Sequence, residues 1–235
     1  MIKNVLFDMD GTLLPMDQDE FVNGYFRILA KKVAPFGYKP DELVAGIWKG
    51  TKAMVVNDGS RTNEEAFWDV FLGIFGEQHR AEIEVFDEFY KVEFNQAKDI
   101  CGFQPLAAPL VKDLKERGMR VILATNPLFP MVGQLSRIGW TGIDPEDFEY
   151  ITSYENSHYC KPNPMYFKEL ADKLGLKPEE CIVIGNDAAE DTAALELGMK
   201  VYLVTDCLLN RDGRDISIYD HGTFEEMAEY LRQLV

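Results

Sequence analysis

Basic residues are scarce in this 235-residue chain: 24 Lys and Arg stand against 40 Asp and Glu, a formal charge of −16 and a pI near 4.6. A surface of that sign repels nucleic acid and anionic membrane, which argues against both as partners. It repels phosphate esters too, so an anionic substrate would need a metal ion or a local cluster of positive groups. Cysteine is also sparse. Cys101, Cys160, Cys181 and Cys207 lack CxxC or zinc-type spacing and are too few for a disulfide scaffold of this length, so they read as reduced thiols of a cytoplasmic protein. The three histidines, His79, His158 and His221, are scattered without ligand spacing. No apolar run approaches the roughly 18 residues that span a bilayer. The opening MIKNVLFD turns acidic too soon for a signal peptide. No internal repeat or low-complexity tract is visible.

What remains is an ordinary globular composition, 46% hydrophobic and 27% charged, in a chain long enough for one domain and a smaller second one. Four short runs rich in β-branched residues read as buried parallel strands: residues 4–7, 120–124 (RVILA), 181–184 (CIVI) and 200–204 (KVYLV). The later three each follow a helix-like segment, over 109–117, 164–174 and 191–197. Gly118, Gly175 and Gly198 stop those segments. A weaker strand is expected over 150–152, and a closing helix over 223–234. Strand and helix alternating in this way imply a doubly wound, Rossmann-like α/β sheet. Residues 15–104 break the rhythm with helical periodicity alone, as in Phe21, Tyr25, Leu29 and Val33. Thr62 and Glu65 suit a capping box there. The expected organisation is an α/β core over 1–14 and 105–235, with an inserted α-helical cap domain over 15–104.

Four constellations fall at the carboxyl ends of expected strands, where open α/β sheets place their ligands. The first is Asp8-Met9-Asp10-Gly11-Thr12-Leu13. Its two carboxylates share a face if the strand continues, and they repel unless a cation or a proton relieves the charge. Hard oxygen ligands beside a phosphate suit Mg²⁺, and Mn²⁺ suits the same set. The second is Thr125-Asn126, a hydroxyl and an amide able to hold phosphate oxygens without adding charge. The third, Lys161-Pro162-Asn163-Pro164, aims a lysine from a loop stiffened by two prolines. The fourth runs from Gly185-Asn186-Asp187 to Asp191, with acids four apart on the first turn of a helix. Each alone has a plainer reading: an acidic turn, a helix cap, a solvated lysine, acids complementing a helix dipole. Their order along the chain is what sets those readings aside.

These four segments together resemble the motifs of the haloacid-dehalogenase-like (HAD) hydrolase superfamily, and the insertion after the first resembles its C1-type cap. The resemblance implies a phosphatase broadly like the capped phosphoglycolate-phosphatase group, acting on a small phosphorylated metabolite. It casts Asp8 as the nucleophile that forms an aspartyl-phosphate, and Asp10 as the acid and then the base. It further implies Mg²⁺ held by the Asp8 carboxylate, the Asp10 backbone carbonyl and Asp187. Asp191 would stand behind them and pair with Lys161, while Thr125, Asn126 and Lys161 bind the phosphoryl oxygens. Dehalogenases of the superfamily lack an aspartate two residues after the nucleophile, so Asp10 favours phosphoryl substrates. The fourth motif commonly has Asp directly after Gly, whereas here Asn186 intervenes; it is a candidate for metal or water contacts. In the cap, Lys49, Lys52 and Arg61 are candidates to meet a polar or anionic leaving group from loops at 49–52 and 57–62. Trp48 and Trp68 are expected in the cap core, and His158 and Tyr159 are candidates to line the site. A sugar-phosphate mutase using the same Asp8 and Asp10, and a non-catalytic binding protein, are the alternatives.

Overall fold

The apolar, β-branched runs form strands, and every one of those strands is parallel to its neighbours. In a computed structural model that describes residues 1–234, β1 (Asn4–Phe7), β2 (Arg120–Leu123), β3 (Tyr150–Ile151), β4 (Cys181–Gly185) and β5 (Lys200–Val204) lie where the sequence places them. A sixth, β6 (Asp220–Gly222), extends the edge. The order is β3-β2-β1-β4-β5-β6, so the chain winds outward from β1 in both directions. Register is fixed by pairs such as Phe7 with Leu123 and Phe7 with Ile184. β1 and β4 are buried throughout, as strands covered on both faces must be.

Alternation along the strands sorts the core into two layers. Val5, Phe7, Val121 and Ile184 join α5 (Ala107–Glu116), α6 (Met131–Thr141) and α8 (Phe224–Leu234) on one face. Leu6, Ile122, Val183 and Leu203 join α7 (Pro164–Leu174) and the segment Asp191–Leu197 on the other. That last segment is a 3₁₀ turn rather than the α-helix expected, and α6 was not foreseen.

Between β1 and β2 the chain is helical: α1 (Gln18–Val33), α2 (Pro40–Val55), α3 (Asn63–Phe75) and α4 (Ile83–Lys91), with 3₁₀ segments at Glu77–Glu82 and Glu93–Ile100. Thr62 and Glu65 form the reciprocal capping box that starts α3. Residues 49–52 lie inside α2 rather than in a loop, because the run from Leu43 to Met54 keeps one apolar stripe (Leu43, Ile47, Met54) through them. Phe21, Leu29, Phe71 and Phe94 of this helical segment share one apolar cluster with Phe7 and Leu123 of the sheet. Among the described residues, no helix is long and apolar enough to cross a membrane.

Candidate active site

The sheet changes direction between β1 and β4, and the crevice beyond their carboxyl ends is where a doubly wound sheet holds a ligand. Asp8 follows β1 directly, its backbone N–H donating to Ile184 O of β4 at 2.8 Å. The chain then turns at Gly11, whose φ of 79° suits glycine; a Cβ there would overlap the Asn186 side chain. Asn186 accepts from the Thr12 hydroxyl at 3.2 Å and donates to Cys207 O at 2.7 Å. Its amide therefore knits together the loops after β1, β4 and β5, and it also faces the crevice.

Lys161, fully buried at 1% exposure, reaches both Asp8 and Asp191. Its Nζ stands 2.9 Å from Asp8 Oδ1 and 2.6 Å from Asp191 Oδ1. Asp191 Oδ2 accepts from the Asp187 N–H at 3.0 Å, and a Cβ at Gly185 would collide with this carboxylate. Burial pulls the Lys161 pKa down, but the carboxylates of Asp191 and Asp8 outweigh it and hold the ammonium well above its ordinary value. Burial pushes Asp8 up to about 7 against the pull of Lys161, with Asp191 and Asp10 adding repulsion. Asp187 Oδ1 accepts from the N–H groups of Ala189 (2.7 Å) and Glu190 (2.9 Å), which fixes the turn after β4.

Asn126 is held at both ends. Its oxygen accepts from the Lys161 N–H at 3.2 Å, and its amide donates to Glu190 Oε2 at 2.9 Å. Thr125 is buried, with its carbonyl accepting from Thr152 Oγ1 and the Tyr166 hydroxyl. Glu190, which the sequence did not single out, is pushed up to about 8 by burial, opposed by Lys161 and reinforced by Asp187, Asp191 and Asp8.

Asp10 has a partner that the sequence did not reveal. Arg137, on α6 and 0% exposed, donates to Asp10 Oδ2 through one amino group and to Gln134 Oε1 through the other. Its guanidinium lies over the Phe129 ring, 4.2 Å from the centroid. Asp10 Oδ1, Arg137 Nε and Gln134 Nε2 are buried without partners. The available signal was an arginine on the buried stripe of α6, among Gln134, Ile138 and Thr141.

Asp8, Asp10, Thr125, Asn126, Asn186, Asp187, Glu190 and Asp191 all line one cavity of 180 Å³ between the sheet and the helical segment; Lys161 stands behind Asp8 and Asp191. The cap candidates are elsewhere. Lys49 and Lys52 are exposed on the outside of α2, and Arg61 pairs with Asp69 at the surface. His158 is tied to Glu169 at 2.6 Å, and neither it nor Tyr159 lines the cavity. Trp68 is buried as expected, but Trp48 is 51% exposed and lines the cavity instead of filling the cap core.

The cavity floor carries five carboxylates (Asp8, Asp10, Asp187, Glu190, Asp191) against two buried cations, Lys161 and Arg137. An anionic substrate cannot approach such a floor without a further positive charge. Among the described residues, no three His, Cys, Asp or Glu side chains converge as a ready-made metal cluster. The donors at hand, the carboxylates of Asp8 and Asp187 among them, are oxygens, which suits a hard divalent cation better than a zinc site built on nitrogen and sulfur.

The chain is also similar to known proteins in sequence and fold. Residues 2–198 match the family model described as haloacid dehalogenase-like hydrolase. The chain is 27% identical over 193 residues to a glyceraldehyde 3-phosphate phosphatase of Methanopyrus kandleri, an alignment covering 81% of this chain and 78% of that one. The fold matches the crystal structure of a HAD phosphatase from Thermococcus onnurineus with a TM-score of 0.60 at 20% identity, over 98% of both chains. It also matches a 2-haloacid dehalogenase from Pseudomonas syringae with a TM-score of 0.65 at 18% identity, over 100% of both.

Proposed function

The chain belongs to the haloacid dehalogenase-like hydrolases, and on that premise we propose that it is a Mg²⁺-dependent phosphatase releasing phosphate from a small phosphorylated metabolite through an aspartyl-phosphate on Asp8. The observation that carries this reading is the pairing of Asp8 with Lys161 beside a second carboxylate, Asp10, on one cavity floor. The second carboxylate is what phosphoryl transfer needs to protonate a leaving oxygen. The names of relatives such as the Methanopyrus kandleri phosphatase support it.

Lys161 holds Asp8 Oδ1, so Oδ2 is the oxygen assigned to in-line attack on phosphorus. As the phosphorus–oxygen bond to the leaving group breaks, its electron pair passes to that oxygen, and Asp10 supplies the proton. Asp10 then takes a proton from water, whose oxygen attacks phosphorus and returns Asp8 as a free carboxylate. Asp8, the Asp10 carbonyl and Asp187 are the groups that would hold Mg²⁺, with Asp191 and Lys161 ordering them. A cation held there would offset the negative charge of the phosphoryl oxygens. Thr125 and Asn126 line the phosphoryl end of the cavity.

The test is phosphate release from a generic aryl phosphate. The expected result is activity that requires Mg²⁺ and disappears in Asp8→Asn. Activity that survives Asp8→Asn, or persists undiminished in chelator, contradicts the mechanism.

A further inference from the structure

Beyond the carboxylates the cavity is lined mostly by rings and aliphatic carbon, together with Gln18 of α1 and Thr51 of α2. Phe26, Ile47, Trp48, Phe67 and Phe86 contribute to it from α1, α2, α3 and α4. The aromatic residues there that carry polar atoms have matched them with one another: the Tyr25 and Tyr90 hydroxyls are 2.8 Å apart, and Trp68 Nε1 reaches the Tyr154 hydroxyl at 3.4 Å. Each pair shares a single hydrogen bond, so one hydroxyl hydrogen in each stays available and the wall is mainly, not wholly, apolar. Among the described residues, no Lys, Arg or His lines the cavity at all. A second anionic group on the substrate would lose its water there and find no cation to replace it.

Trp48 adds an independent sign. An indole left 51% exposed on α2, set edge-on to Phe26 at 5.7 Å, is an apolar surface that the fold itself does not cover. It stands at the rim of a cavity of 180 Å³ that the phosphoryl group and the leaving group would share, so the leaving group must be compact.

Resting on the phosphatase reading above, we propose that the substrate is a monophosphate ester of a compact apolar alcohol, with a single ring or a short alkyl chain, and that the cap rejects leaving groups carrying further negative charge. Glyceraldehyde 3-phosphate, named for the Methanopyrus kandleri relative, is by this chemistry a poor substrate.

An alkyl phosphate series from ethyl to pentyl tests this while holding leaving-group basicity nearly constant. The expected result is a rise in kcat/KM of about fourfold per added methylene until the cavity is full. Benzyl phosphate should exceed glycerol 3-phosphate and pyrophosphate by roughly 50-fold or more, the span of about three buried methylenes. A flat series, or preference for the polyol or pyrophosphate, overturns the proposal. Trp48→Ala should lower the pentyl-to-ethyl ratio and Trp48→Phe should restore it; a ratio indifferent to both contradicts the role given to this wall.

Binding separates this proposal from the phosphatase reading. Benzyl alcohol, which carries no phosphate, should raise the melting temperature saturably in both wild type and Asp8→Asn, and glycerol should not. If no ester is hydrolysed but benzyl alcohol binds selectively, the phosphatase reading fails and the apolar pocket stands. If benzyl alcohol binds no better than glycerol, the pocket proposal fails whatever the activity.

Discussion

Arg137 shows how one buried side chain constrains the chemistry at Asp10. A fully buried guanidinium shared between Asp10 and Gln134 fixes where the Asp10 carboxylate points. Removing it leaves the partly exposed Asp10 carboxylate and the buried Gln134 Oε1 without their donor, a loss of about 1–3 kcal/mol. Urea unfolding of Arg137→Met should show a loss of that size, whereas the double variant with Asp10→Asn should lose clearly less than the sum of the two single changes. Strict additivity would mean that the two groups do not couple. Gly185 makes a second test at this scale. A methyl group there meets the Asp191 carboxylate, so Gly185→Ala should displace Asp191 from Lys161 and lower kcat by at least about tenfold, a little over 1 kcal/mol in the barrier. Unchanged kcat would show that the Lys161–Asp191 pair does not order the site.

At the scale of elements, α3 is the helix whose start ties the helical segment to the sheet. Asn63 is 0% exposed and donates to Tyr159 O at 3.3 Å and Cys160 Sγ at 3.3 Å, while accepting from Asn57 at 3.0 Å. Its own backbone N–H donates to Ser157 O, and that of Glu64 donates to Tyr154 O. Asn63→Ala orphans several buried groups and should cost about 1–3 kcal/mol, more than Thr62→Ala, which loses only a cap worth about 1 kcal/mol. Chemical denaturation of the two variants checks the order; the reverse order would move the anchor from Asn63 to the cap.

The elements that could be read in advance were those whose burial is continuous. β1, β4 and β5 are unbroken apolar runs, and α7 is bounded by Asn163, Pro164 and Gly175. β6 escaped because its sequence is Asp-His-Gly at a sheet edge, where one side needs no apolar cover. α6 escaped because two glycines and a buried arginine disguise its stripe. The carboxylates of the site were legible because strand ends announce them. Arg137 was not, since its bond to Asp10 spans 127 positions and depends on how α6 packs.

For the molecule as a whole, the concentration of acid on one cavity floor links stability, pH and metal. Asp8 and Glu190 are raised from ordinary values of 3.8 and 4.5 to about 7 and about 8. Without metal, the folded chain therefore binds more protons than the unfolded one across that window, and stability must fall as pH rises from about 4 through about 8. Thermal unfolding of the metal-free protein should show this decline. If Mg²⁺ is held as proposed, it would bind the ionised carboxylates, and the stabilisation it gives should grow between about pH 6 and about pH 8. Stability that rises over the same range in chelator would contradict the buried, crowded acids described here.

The central claim is that Asp8 carries the phosphoryl group. A single turnover with benzyl phosphate and Mg²⁺, quenched in acid and digested for mass spectrometry, tests it directly. The expected result is one phosphoryl group on the peptide containing Asp8, absent in Asp8→Asn. Turnover with no phosphorylated peptide, or with the group on a different residue, would contradict it.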